Sequence, residues 1–145
     1  MIKILFYIVI SITGFSIFYI KSNEVSINEA TTLVNTFIEN IKNANTNNLE
    51  EILDSNYQHI HGSGIIENKQ QFIILLKNKA KIYNKADVSN IKITLLGKNA
   101  YISGKIKIKV STPKVTIDGE NFFTIIISKN NNKLSILQFQ ATKLL

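Results

Sequence analysis

LEEILDSNYQHIHGSGIIENKQQFI, residues 49–73, switches backbone period twice. Leu49, Ile52 and Leu53 form the apolar stripe of a short helix, with Asn47 and Glu50 placed to cap it. "YQHIH" then alternates, so Tyr57, His59 and His61 project to one side of a strand, and Gln58 and Ile60 to the other. Gly62-Ser63-Gly64 reads as a turn. Asn68 followed by Gln71 is a capping box, which opens a further helix carrying Phe72, Ile73, Leu75, Leu76 and, near its end, Ile82.

Upstream, Ile27, Ala30, Leu33, Val34, Phe37, Ile38 and Ile41 recur at three- and four-residue steps, the stripe of an amphipathic helix. Ser26 and Glu29 cap its start, and the polar stretch "KNANTNN" closes it. Downstream of Asn84 the period becomes two. "VSNIKITLL" alternates at Ile91, Ile93 and Leu95, and Gly97-Lys98-Asn99 signals a tight turn. "AYISGKIKIKV" puts Ala100, Ile102, Ile106, Ile108 and Val110 on one face and Lys105, Lys107 and Lys109 on the other. Pro113 and Asp118-Gly119 supply a loop or hairpin turn; "FFTIIIS", the turn "KNNNK" and "LSILQFQATKL" follow. Short connections between these strands predict an antiparallel meander, so the class is α+β, a sheet laid over three helices. Phe122, Phe123, Ile125 and Ile127 suggest a strand covered on both faces, by a core and by a second copy.

The N-terminus reads as an address. Seventeen uncharged residues, "ILFYIVISITGFSIFYI", run from 4 to 20 between Lys3 and Lys21. That length suits a signal-peptide core or a short spanning helix. Gly14-Phe15-Ser16 offers small residues for cleavage, while Ile17 to Ile20 continue the apolar run as an anchor would. Lys3 and the amino terminus favour a cytoplasmic start, which places the rest of the chain outside the cytoplasmic membrane. Residues 1–21 are therefore a signal peptide or an N-terminal membrane anchor in a hydrophobic helix, 22–27 a polar spacer, and 28–145 one domain. The membrane is a partner through residues 4–20 if they are retained.

Composition excludes several classes of function. The chain has no cysteine, hence no disulfide, thiolate nucleophile or zinc–cysteine site. Its net charge of +7 comes entirely from lysine, with no arginine to read phosphates or guanine edges bidentately, which argues against nucleic acid. Two histidines make an incomplete metal set, so no metal and no cofactor are expected.

The order helix, short helix, strand, Gly-turn, helix, four strands, together with residues 49–73 and the ending "LQFQATK", resembles the nuclear transport factor 2-like superfamily, notably its SnoaL-like and calcium/calmodulin kinase association-type members. The resemblance runs from about Asn28 to Lys143. It implies a cone, a curved sheet wrapped over three helices with a pocket at the open end, and often a homodimer through the sheet. Ketosteroid isomerase-like members use an aspartate base deep in the pocket. Asp54, Asp87 and Asp118 read as helix-end or loop residues here, so that role is not carried over and no catalytic residue is assigned.

Tyr57, His59 and His61 on one strand face, with Gln138 and Gln140 sharing a face of the last strand, are the candidate ligand-binding residues. The expected ligand is a small apolar or amphipathic molecule, or else a protein partner. One alternative is a cyclase or isomerase using His59 or His61 as acid/base and Tyr57 as oxyanion donor. The other is a scaffold subunit of a cell-envelope assembly.

Overall fold

The computed structural model describes residues 23–144; the N-terminal apolar run, and with it the signal or anchor reading, lies outside them. Three helices, α1 (Ile27–Lys42), α2 (Thr46–Ile52) and α3 (Lys69–Lys77), pack on one face of a six-stranded sheet. Its strands are β1 (Leu53–Ile60), β2 (Ile66–Asn68), β3 (Ile82–Leu96), β4 (Asn99–Ser111), β5 (Thr116–Asn130) and β6 (Lys133–Lys143), in the order β2-β1-β6-β5-β4-β3. All neighbours are antiparallel except β1 and β6, which run parallel. The result is the expected α+β cone: a curved, unclosed sheet over three helices.

Capping chemistry sets the helix starts. Ser26 and Glu29 form the full reciprocal box of α1, and Asn68 and Gln71 that of α3. The apolar stripe of α1 is buried from Ala30 to Ile41, whereas Ile27 stays exposed. Four details differ from the reading of the sequence. Asn45, not Asn47, caps α2, because its side chain reaches the Asn48 amide. Leu53 opens β1 rather than ending α2. Asp118 and Gly119 lie within β5, and residues 112–115 make the turn, closed by Thr112. Finally α3 stops at Lys77: the left-handed backbone of Lys79 (φ 54°) and the bond from Lys81 N–H to Leu75 C=O turn the chain. Ile82 therefore begins β3 instead of ending the helix.

The three aspartates also lie in strands, Asp54 in β1, Asp87 in β3 and Asp118 in β5. Asp87 and Asp118, with Glu120, interleave the outward lysines of β4: Lys105 meets Glu120 at 3.3 Å and Lys109 meets Asp118 at 3.7 Å. The lysine ladder is thus locally balanced by acid.

β3 bends at a bulge between Ser89 and Lys92, where Asn90 takes φ 52°. Gly104 of β4 lies opposite. A Cβ there would sit 2.8 Å from the Ser89 carbonyl oxygen and 2.9 Å from the Phe123 ring. Gly104→Ala is expected to destabilise the domain by about 2 kcal/mol, since backbone and an enclosed ring must both give way. Urea unfolding checks this; a loss below about 0.5 kcal/mol means the bulge is soft.

At the end of the sheet holding the β3–β4 and β5–β6 turns, the chain entering α1 is pinned. Val25 N–H donates to Gly97 C=O at 2.9 Å. The Lys129 ammonium, almost fully buried, donates to the Glu24 carbonyl at 2.9 Å and to both Glu29 oxygens at 2.9 and 3.2 Å. The Lys129 hydrogen bond, helped by the Ser26 amide, lowers the Glu29 carboxyl from 4.5 to about 2. A depressed carboxyl contributes stability above the unfolded value and loses it as pH falls, here between 4.5 and about 2. With Glu29 partly exposed, the expected contribution is about 0.5–1 kcal/mol. Glu29→Gln should remove that part of the acid titration of stability and leave the slope above pH 4.5 unchanged.

Candidate functional site

β1 carries Leu53, Tyr57 and His59 inward, against α3 and the neighbouring β6, because its buried positions alternate from Tyr57 onward. The result is a buried polar centre with aromatic walls. The His59 ring lies between Phe72 of α3 (centroids 4.3 Å, 15° between planes) and Phe139 of β6 (4.8 Å, 19°). Its Nδ1 is 2.8 Å from the Tyr57 hydroxyl and its Nε2 is 3.3 Å from the Tyr83 hydroxyl. His59 and Tyr57 are each only 1% exposed.

Burial, reinforced by the nearby His61 and Lys81, pushes the His59 imidazole well below its usual 6.5. The ring is therefore neutral near pH 7, with one N–H and one bare nitrogen. One tyrosine donates to it and the other accepts from it. Burial also raises both hydroxyls, that of Tyr57 well above 10.0 with help from Tyr83 and Glu67, so both stay protonated.

A second cluster covers this centre. Lys81 Nζ donates to both oxygens of Glu67, at 2.6 and 2.7 Å, and lies 5.6 Å from the centre of the Phe72 ring. His61 Nε2 stands 3.1 Å from Glu67 Oε1 and 3.2 Å from Lys81 Nζ, so it donates to the carboxylate in one tautomer and accepts from the ammonium in the other. Glu67 sits on β2, directly opposite His59 in register. Burial raises its carboxyl, but hydrogen bonds from His61 and Lys81 outweigh that and hold it below 4.5. Burial lowers Lys81 from 10.5, only partly offset by Glu67.

The structure thus joins Tyr57, His59 and His61, and separates Gln138 and Gln140 from them. Those two flank Phe139 and project to the outer face, where Gln138 Nε2 reaches Gln140 Oε1 at 3.4 Å. Parity explains this: Phe139 pairs with His59, so its neighbours along β6 point the other way. Sequence reasoning missed Lys81 and Tyr83, because both fell in a segment taken for helix. Glu67 lies beyond the Gly62–Gly64 turn in the chain, and that turn is what folds it back over His59.

Two shallow grooves lie apart from the cluster. One, of about 220 Å³, lies between α1 and β3 at Asn35, Ile38, Lys42 and Val88. The other, of about 390 Å³, is lined by Thr32, Leu33, Thr36, Ile52 and Leu134. The His59 ring itself is enclosed between Phe72 and Phe139.

No protein-family model matches the chain, and no curated protein matches it in sequence. Solved structures do. An NTF2-like protein from Cytophaga hutchinsonii superposes with TM-score 0.76 at 16% identity, covering 83% of this chain and 100% of its own. The chain has the nuclear transport factor 2-like fold. An NTF2-like protein of unknown function in nutrient uptake from Rhodospirillum rubrum superposes on this fold with TM-score 0.73 at 11% identity, covering 79% of this chain and 98% of its own. A candidate dehydratase of the NTF2-like family from Streptomyces avermitilis gives 0.68 at 8% identity, covering 82% and 96%. At such identities the likeness establishes the NTF2-like fold.

Proposed function

We propose that the protein is an exported, membrane-tethered domain that binds a small amphipathic ligand at the Tyr57–His59–Tyr83 centre, with no catalytic step assigned. The observation that carries this is His59. A fold needs only an apolar ring between Phe72 and Phe139, yet here a neutral imidazole is hydrogen-bonded to two hydroxyls whose bonds a ligand oxygen could exchange. Access comes through the β1–β2 turn, which rests on three register pairs and the Glu67–Lys81 contact. A second copy docks on the outer face, where Tyr101 and Phe122 are exposed and Gln138 and Gln140 lie half-buried. Full-length protein in non-ionic detergent should give a dimer mass and release one small compound on denaturation, with the compound lost in His59→Phe. A ligand-free protein whose thermal midpoint ignores every member of a metabolite panel would sink the reading.

The His59–Tyr57 distance favours one further reading, acid–base catalysis with His59 as base and a protonated tyrosine as donor to an oxyanion. The same compound decides: incubated with fresh protein, it comes back unchanged from a binding domain and altered from an enzyme.

A further inference from the structure

The geometry points to the end of the sheet bearing the β3–β4 and β5–β6 turns as a surface that rests on an anionic lipid bilayer, with the His59 centre opening away from it. This rests on the tether reading above. The uncharged run ends at Ile20, and the chain is fixed at Val25 by the Gly97 carbonyl. Five residues span at most roughly 17 Å, so an anchor at 4–20 holds that end within about this distance of the membrane. The groups there suit an interface. Ile27, Leu95 and Leu96 are 57%, 41% and 60% exposed, and Lys98 and Lys133 are exposed beside them. The acids at this end are Glu24, Glu29, which is neutralised by Lys129, and Asp54, which accepts from the Ser135 hydroxyl at 3.3 Å. Apolar side chains with a lysine rim match the headgroup region of an anionic bilayer.

The opposite tip, at the β4–β5 turn, also exposes Val115 and Ile117, but it fits less well. Its lysine ladder is met by Asp118 and Glu120. It also lies roughly 40 Å from the pinned end, from the 13 residues of β4 at about 3.3 Å each. β3 runs from the Lys81 side of the site to the pinned end at Leu96, so the cover of His59 faces the aqueous side.

The native chain has no cysteine, so single labels are clean. Full-length Leu96→Cys and Val115→Cys, both at exposed positions, are labelled with an environment-sensitive fluorophore and reconstituted into phosphatidylcholine–phosphatidylglycerol vesicles containing spin-labelled lipid. Flotation of the vesicles reads the tether; quenching reads the orientation. The expected result is flotation of both proteins and several-fold stronger quenching at position 96 than at 115. Flotation with equal quenching, or with stronger quenching at 115, overturns the orientation and leaves the tether standing. Absence from the floated fraction overturns both.

Discussion

His59→Ala is expected to destabilise the domain by about 4 kcal/mol, from a lost ring between two aromatic faces and two hydroxyls left unpaired. The parts can be separated. His59→Phe keeps the ring but strands the Tyr57 and Tyr83 hydroxyls, for an expected loss of about 2–3 kcal/mol. Adding Tyr57→Phe and Tyr83→Phe removes the stranded groups and should recover most of that. The wild type also has a diagnostic pH dependence. With the folded imidazole held below 6.5, the unfolded chain binds a proton that the native state refuses. Stability is therefore unaffected by this group above the unfolded value and falls as pH drops below it, by about 1.4 kcal/mol per pH unit until the folded value is reached. Urea titrations across pH 7 to 5 should show that slope in the wild type and its absence in His59→Phe. Equal slopes would mean that His59 is protonated in the native state.

Lys81→Met should cost about 3–5 kcal/mol, because it leaves the Glu67 carboxylate buried with only His61 beside it. Glu67→Gln should cost a similar amount for the mirrored reason. The double variant Glu67→Leu/Lys81→Met is expected within about 1 kcal/mol of wild type, since an apolar pair of similar volume avoids both desolvation penalties. The carboxyl's direction fixes the acid side. Held below 4.5 in the native state, Glu67 contributes stability above that pH and loses it as pH falls further. Thermal midpoints of the three variants at neutral and acid pH check this. A double variant as unstable as the singles would show that packing around Phe72, rather than charge, governs the site.

Local chemistry and the cone with its antiparallel meander were legible in the chain; which strand faces meet across it was not. The boxes at Ser26–Glu29 and Asn68–Gln71 can be read because cap and partner lie three residues apart. The inward face of Tyr57 and His59 follows from period two alone. By contrast, the segment around Ile82 continues a helical stripe, and only the left-handed Lys79 and the tertiary pairing of β3 with β4 turn it into strand. That one misplacement hid Lys81 and Tyr83. Gln138 and Gln140 were grouped with the histidines because each pair alternates, and alternation does not say which face of one strand meets which face of another. The parallel pairing that decides it joins residues about 80 apart.

That pairing has a consequence for how the molecule comes into being. Of the described strands β6 is synthesised last, and it is the one wedged between β1 and β5. Until it arrives, the earliest strand has no wide neighbour and the imidazole lacks one of its two aromatic walls. A chain cut short before Lys133 should be open to protease and pliable. Sheet and second aromatic wall are then completed together, in one late step, when β6 docks.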